Sequence, residues 1–251
     1  DKLRQLTGHK FIQLTSRGNT AIEAALKNLN GKILIPEEGS WMSYEKIARK
    51  LGLEVVLLSC NDAVINLDDL KSKLASAKYA AILYQNPGGY FAEQPMQEIH
   101  DICKENNCLV IMDVSGSIGT ELCNGKYADY LVGSFSKWKL INVGEGGFIS
   151  SNFELENSVE LPEKLIEEKI DNLQGRIDYL QNIRKKVIED LNDLDIVNKD
   201  SIGFVVVIKF NDEQEKEKII NYCNKNNLEY TECPRSIRLN KKAISIEVKR
   251  K

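Results

Sequence analysis

Residues 111–115 read IMDVS, residues 133–139 read GSFSKWK and residues 144–147 read GEGG, and these segments decide the fold. An apolar run leads into the first segment and ends in an acid, Asp113. A second apolar run leads into 133–139, where small and hydroxyl residues precede two lysines. Short apolar runs bounded by turn residues are typical of buried strands. Polar side chains at the ends of such strands predict a ligand site at that edge of a sheet.

Strands and helices alternate along the first part of the chain. Seven apolar runs have the length and residue types of strands: 11–15, 32–35, 54–58, 79–84, 108–112, 130–133 and 147–150. Between several of them lie segments with helical spacing of apolar residues. Ser16, Asn19 and Thr20 are suitable N-caps for one such helix, and Asn66 or Asp68 for another. The alternation predicts an α/β fold with a seven-stranded, mostly parallel sheet and helices on both faces.

The pattern changes after residue 152. Pro162 opens one long helical segment that reaches about residue 192. It is followed by a predicted strand, a helix and two further strands: 202–210, 212–226, 228–231 and 243–248. This order predicts a small α+β unit. We therefore predict a large domain at 1–152 and a small C-terminal domain at 153–251.

Five candidate site residues fall at or just past the carboxyl ends of predicted strands: Ser16, Trp41, Asn86, Asp113 and Ser134. Ligands of open α/β sheets bind in the crevice outside those ends, so the agreement in position favours one shared site. Four of these residues, Ser16, Trp41, Asn86 and Asp113, also have a purely structural explanation when taken alone. These are a Ser-Gly-Thr turn, a packed tryptophan, an Asn-Pro-Gly turn, or an acid that accepts backbone bonds in a turn.

The opening segments resemble the pyridoxal 5'-phosphate (PLP)-dependent aminotransferases of fold type I. The likeness is greatest to the DegT/DnrJ/EryC1/StrS sugar-aminotransferase branch. Its motif runs from an acid through Ser-Phe and a lysine to Gly-Glu-Gly-Gly, as at Asp113, 134–135, Lys139 and 144–147. The resemblance covers residues 10–152 well and the remainder in outline. It implies the fold type I architecture, a PLP cofactor, a small-molecule amino donor and keto acceptor, and a homodimer.

The resemblance also implies a role for each candidate residue. Asp113 would hold the pyridine nitrogen protonated, Trp41 would stack on the ring, and Asn86 would contact the phenolic oxygen. Small polar residues would hold the phosphate: Ser16, Gly18, Asn19, Thr20 and Ser134, with Ser136 as a further hydroxyl donor.

Two lysines compete for the covalent link to the cofactor. Lys139 lies five residues after Ser134 and five before Gly144, which matches the register of the sugar aminotransferases. It would hold the aldehyde as a Schiff base and move the proton. Lys137 lies three residues after Ser134, the Ser-x-x-Lys spacing of other PLP families. Another interpretation leaves both as solvated loop lysines. We predict Lys139, with Lys137 as the alternative.

The chain departs from the family pattern in two ways. Gly116 stands where the family usually has a Gln or His beside the cofactor. The chain is also shorter than usual and nearly lacks the N-terminal arm, so substrate recognition must be rebuilt or lost. Arg235 or Arg238 could bind a substrate carboxylate bidentately, and we select Arg238 as the candidate, although such arginines are more often surface residues.

Composition argues against several classes of protein. A formal net charge of −3 and a pI near 5.7 argue against nucleic acid as a partner, and no apolar run is long enough for a membrane helix. Six scattered cysteines and two histidines form no zinc motif. We expect a reduced, cytoplasmic protein without a metal. The chain begins at Asp1 with no signal-peptide pattern, so we expect a trimmed or processed N-terminus.

Two other functions remain open at this stage. One is a different PLP reaction on the same fold, such as a lyase or a desulfurase, for which Cys123 would be the candidate mobile cysteine. The other is a non-catalytic homologue that acts as a binding or scaffold protein.

Overall fold

The computed structural model describes residues 2–155, 159–235 and 237–251. The large sheet contains β1 (Phe11–Thr15), β2 (Lys32–Pro36), β3 (Glu54–Leu58), β6 (Ala81–Gln85), β7 (Leu109–Asp113), β8 (Tyr130–Ser134) and β9 (Gly147–Ser151). Between β3 and β6, a separate hairpin is formed by β4 (Cys60–Asn61) and β5 (Val64–Ile65). All seven predicted strands of the large sheet are therefore present.

The sheet order is β1-β9-β8-β7-β6-β2-β3. Strands β8, β7, β6, β2 and β3 pair in parallel, while β9 runs antiparallel to both of its neighbours. The prediction of a seven-stranded, mostly parallel sheet is confirmed. Because the parallel strands share one direction, their polar carboxyl ends meet at one edge.

Helices cover both faces of this sheet, as predicted. The first part of the chain forms α1 (Lys2–Thr7), α2 (Gly18–Leu26), α3 (Ser43–Lys50), α4 (Leu67–Ser76) and α5 (Met96–Glu105). Alternate strand residues point to opposite faces. Residues such as Ile33 and Leu83 pack with α2 and α3, whereas Leu34 and Ile82 pack with α4 and α5. Among the described residues, none of the helices combines the length and apolar character of a transmembrane span.

The C-terminal part forms α6 (Glu163–Asp171), α7 (Leu173–Asp190) and α8 (Glu213–Lys225) around a four-stranded antiparallel sheet. Its strands are β10 (Asp195–Val197), β11 (Val206–Lys209), β12 (Tyr230–Cys233) and β13 (Ala243–Ile246), and a 3-10 turn follows at Val248–Arg250. The prediction of one helix from Pro162 was wrong, because the helix breaks at Asn172. There the backbone N–H and the side-chain amide both donate to the carbonyl of Glu168. Helix α1 and strand β10 were not predicted.

The predicted N-cap of α4 is confirmed, whereas that of α2 is wrong. Asn66 caps α4 as predicted, because its side chain accepts bonds from the backbone N–H groups of Asp68 and Asp69. Helix α2 instead has Arg17 at its N-cap position and no side-chain cap bond. In that first turn the backbone N–H of Thr20 donates to the carbonyl of Arg17, and no side chain of the described residues caps the helix.

Candidate active site

A cavity of about 260 Å³ lies at the carboxyl edge of the large sheet. Strands β6, β7 and β8 end there, and helix α2 begins there. The lining residues are Arg17, Gly18, Asn19, Ile22, Trp41, Gln85, Tyr90, Asp113, Ser115, Ser134, Ser136 and Lys139. Six of the predicted site residues are therefore brought together: Gly18, Asn19, Trp41, Asp113, Ser134 and Lys139.

Asp113 is a buried carboxylate at the end of β7, with 5% of its surface exposed. One oxygen, Oδ2, accepts a bond of 2.7 Å from the Tyr44 hydroxyl, and Oδ1 accepts one of 2.9 Å from the backbone N–H of Ser115. Burial, followed by the neighbouring Asp113 carboxylate, raises the pKa of Tyr44 well above its usual value, so Tyr44 remains a donor. Among the described residues, no cationic side chain pairs with Asp113, which leaves lone pairs of a buried charge for a ligand.

The start of helix α2 and the end of β8 form the opposite wall. A methyl group at Gly18 would lie 2.8 Å from Cβ of Ser134, so glycine is what allows the helix to begin this close to the strand. The hydroxyls of Ser134 and Ser136 lie 2.9 Å apart. Hydroxyl donors beside a helix N-terminus form a suitable site for an anion such as a phosphate.

Trp41 and Asn19 complete one side of the cavity. The indole N–H of Trp41 donates to Oδ1 of Asn19 at 3.0 Å, which fixes the ring. An indole held in this way presents a flat apolar surface to a planar ligand.

The two candidate lysines have different environments. Lys139 lines the cavity, and its Nζ contacts the hydroxyl of Tyr90. Lys137 is exposed, and its Nζ lies 4.8 Å from the centroid of the Trp138 ring, outside the cavity lining. Trp138 lies between them with φ of +67°. The geometry favours Lys139 as the amine that a ligand would meet.

Three predicted site residues are turned away from the cavity. The hydroxyls of Ser16 and Thr20 lie 3.1 Å apart, and Thr20 lines a neighbouring polar groove. Asn86 is fully buried; its Oδ1 accepts the backbone N–H of Gln94. The preceding residue, Gln85, faces the cavity instead. It is paired in register with Asp113, which explains why it reaches the same edge.

Arg238, the candidate for a substrate carboxylate, is buried in an ion pair. Its Nη2 donates to both carboxylate oxygens of Glu247 at 2.9 and 3.0 Å, and its Nη1 donates to the carbonyl of Gly89. Burial alone would raise the pKa of Glu247, but Arg238 and Lys249 outweigh it and lower that pKa to about 2. The guanidinium is thus engaged within the protein, and it is not part of the cavity lining.

Several lining residues were not identified from sequence. Gln85 and Ser115 could have been found, because each lies at the end of a strand that was already predicted. The sequence gives no indication that Tyr90 belongs to the site, since this residue lies in a loop between β6 and α5. Tyr44, which reaches Asp113 from helix α3, reads in sequence as an ordinary helical aromatic.

Cys123, the candidate mobile cysteine, does not line the cavity. The Cys123 thiol is buried and donates to the carbonyl of Leu6, and burial raises its pKa to about 12. It therefore does not fit the mobile cysteine of a desulfurase. In the part of the chain that the structure describes, no group of three or more His, Cys, Asp or Glu side chains could hold a metal ion.

The model of the DegT/DnrJ/EryC1/StrS aminotransferase family matches residues 1–160. No curated protein sequence matches the chain closely enough to count as a relative.

Solved structures are similar over almost the whole chain. 3-Amino-5-hydroxybenzoic acid synthase is 12% identical with a TM-score of 0.77, covering 99% of this chain and 83% of its own. A DegT DnrJ EryC1 StrS aminotransferase from Brucella abortus is 14% identical with a TM-score of 0.77, covering 98% and 83%. Helicobacter pylori PseC, an aminotransferase involved in the biosynthesis of pseudoaminic acid, is 15% identical with a TM-score of 0.78, covering 98% and 83%. These similarities establish the fold.

Proposed function

Since this chain belongs to the DegT/DnrJ/EryC1/StrS aminotransferase family, we propose that it transfers amino groups with PLP bound in the cavity at the carboxyl edge of its large sheet. The amino donor and the keto acceptor are small molecules. One observation carries the proposal. The buried Asp113 carboxylate has no cationic partner among the described residues, and it lines the same cavity as the amine of Lys139.

The residues present fit PLP at each of its functional groups. A protonated pyridine nitrogen is the cation that an unpaired buried carboxylate requires, and Asp113 provides that carboxylate. The ring would lie against the fixed indole of Trp41. The phosphate would be held by the hydroxyls of Ser134 and Ser136, beside the positive end of the α2 dipole.

Bound PLP supplies an electron sink that stabilises negative charge on the substrate carbon. The residues around the cavity would then have the following roles. Asp113 would keep a proton on the ring nitrogen, and Tyr44 and the Ser115 N–H hold its carboxylate in place. Lys139 Nζ would be the nucleophile for the aldehyde and would carry the substrate proton.

The assembly is proposed on family grounds. Fold type I enzymes usually complete each site with loops of a second subunit, so we propose a homodimer. The desulfurase alternative receives no support from the structure, because Cys123 is buried and held by Leu6.

Reduction with borohydride after incubation with PLP tests the function and identifies the lysine. We expect the label on Lys139 by peptide mapping, because this amine faces the cavity. Lys139→Ala should abolish the label and lower amino transfer to 2-oxoglutarate by roughly 10²–10⁴-fold, the usual contribution of a proton-transferring group.

Lys137→Ala is the matched control, since it removes an exposed lysine two residues away. It should keep both the label and the activity. A label on Lys137 would shift the covalent role to that residue. A protein that takes up no PLP would favour a non-catalytic binding role, and release of sulfide without amino transfer would indicate a desulfurase.

A further inference from the structure

Tyr90 is the lining residue with the most unusual backbone. Its φ is +71°, a region that bulky residues rarely adopt, yet only 4% of its surface is exposed. Both backbone polar groups are used: its N–H donates to the carbonyl of Pro87, and its carbonyl accepts the N–H of Phe204 at 2.9 Å. A conformation of this kind persists when its surroundings hold it, and such positions cluster at functional sites.

The ring of Tyr90 fills the space beside Gly116. A methyl group built at Gly116 would lie 2.2 Å from Cδ1 of that ring. Glycine at position 116 is therefore required by the tyrosine, and the tyrosine occupies the volume that a side chain there would have taken. The ring reaches this place from a different loop of the chain.

The side-chain amines of two lysines contact Tyr90. Lys139 Nζ contacts its hydroxyl, and Lys249 Nζ lies 3.5 Å from the ring centroid. In the described part of the chain, Lys139 forms no ion pair with a carboxylate. The Tyr90 hydroxyl is thus the polar group that contacts the Lys139 amine, while the ring packs against Lys249 and, 5.3 Å from its centroid, the Arg238 guanidinium.

We propose that Tyr90 is a positioning residue that holds the amine of Lys139 toward the cavity through its hydroxyl, in the place left open by Gly116. This deepens the proposed function, on which it rests for the identity of Lys139 as the reacting amine. A lysine side chain has many rotamers, and a fixed hydrogen-bond partner selects the one from which Nζ can attack. The ring must remain for packing, whereas the hydroxyl does the positioning.

Tyr90→Phe isolates the hydroxyl, because the ring and its contacts with Gly116 and Lys249 are kept. Tyr84→Phe is the matched control. Tyr84 is fully buried at the end of β6, and its hydroxyl has no hydrogen-bond partner within the described residues. Each variant is compared with the wild type as the full chain, with melting temperature and circular dichroism as checks on folding.

The first measurement is trace acetylation with acetic anhydride in the absence of added PLP, followed lysine by lysine by mass spectrometry. In Tyr90→Phe the amine of Lys139 loses its partner, so we expect it to be acetylated roughly threefold to tenfold faster, the factor of one hydrogen bond. The exposed Lys137 should react at its wild-type rate in every variant. Tyr84→Phe should leave both rates unchanged.

The second measurement is the rate at which PLP becomes trapped on Lys139 by borohydride. Here Tyr90→Phe should be slower by a similar factor, because the freed amine spends less time facing the cavity. A general loosening of the fold would accelerate both reactions, so opposite changes distinguish positioning from a structural role.

The outcomes separate the two proposals. Unchanged acetylation of Lys139 in Tyr90→Phe overturns the positioning role, even if PLP labels the wild type normally. Faster acetylation of all lysines together with a lower melting temperature also overturns it. Faster acetylation of Lys139 alone, in a protein that PLP does not label, supports the positioning role and refutes the proposed cofactor chemistry.

Discussion

At the scale of single residues, charge pairing decides which polar groups are available to a ligand. Glu247 is fully buried in the C-terminal part, where Arg238 binds both of its oxygens and Lys249 lies 3.5 Å away. Asp113, in contrast, accepts two neutral hydrogen bonds and no cation from the described residues. The first carboxylate is satisfied within the protein, and the second is the one that we propose for the cofactor.

The Glu247 pair predicts a pH dependence of stability. The folded-state pKa is about 2, below the usual 4.5, so the contribution is complete above pH 4.5 and is lost as the pH falls toward 2. A difference of this size corresponds to roughly 3 kcal/mol. We expect urea unfolding of the wild type to show this loss, and Glu247→Gln to remove it while costing roughly 3–5 kcal/mol at pH 7.

Glu229→Gln provides the control. Glu229 pairs with Arg250 at 2.5 Å, but its side chain is 58% exposed. Loss of an exposed pair should change the free energy of unfolding by less than about 1 kcal/mol. Equal losses in the two variants would contradict the importance of the buried pair.

At the scale of elements, the approach of α2 to β8 forms the proposed phosphate end of the cavity. The approach depends on Gly18, because any β-carbon there would meet Ser134. Sequence reasoning placed the strand, the turn and the helix correctly, but it expected Ser16, Asn19 or Thr20 at the N-cap. With Arg17 at that position, no side chain caps the start of α2.

Two glycine-to-alanine substitutions test this close approach. Gly18→Ala should lower the free energy of unfolding by about 1–3 kcal/mol through overpacking, and it should weaken PLP binding. At Gly175, inside α7, an added β-carbon would have no atom within 4 Å, so Gly175→Ala should stabilise by about 0.5–1 kcal/mol. Urea unfolding and PLP titration measure both effects. Similar stabilities for the two variants would be inconsistent with the contact at Gly18.

At the scale of the whole molecule, the proposed domains at 1–152 and 153–251 are joined by a common hydrophobic cluster and by ion pairs. One hydrophobic cluster includes Met112 and Leu131 of the large sheet together with Leu180 of α7 and Val206 of β11. Asp62 also bridges the two parts, pairing with Lys209 at 2.7 Å and Lys241 at 2.6 Å. We retain the division as a proposal about architecture, and we expect the parts to depend on each other for stability.

A shared core predicts cooperative unfolding. Calorimetry should show one transition, with equal calorimetric and van't Hoff enthalpies. Circular dichroism reports on the secondary structure of both parts, whereas Trp fluorescence reports on the larger part, which contains both tryptophans. The two probes should therefore give the same unfolding midpoint. Two separate transitions would contradict this expectation and indicate independent domains.

The sequence by itself determined the strands of the large sheet and the helices between them, and with them the edge at which Asp113 and Ser134 meet. These features follow from local periodicity and from the rule that parallel strands end on one side. The register of the motif also favoured Lys139 over Lys137. The break at Asn172 was missed because the apolar spacing continues across it.

Only the tertiary structure decided which side chains enter the cavity and which are engaged elsewhere. It directed Gln85 rather than Asn86 to the site, paired Arg238 with Glu247, and brought Tyr90 over Gly116. The physical reason is that these outcomes depend on partners distant in the chain. A buried charge or hydroxyl takes the orientation in which it is hydrogen-bonded, and its partner is known only once the elements have packed.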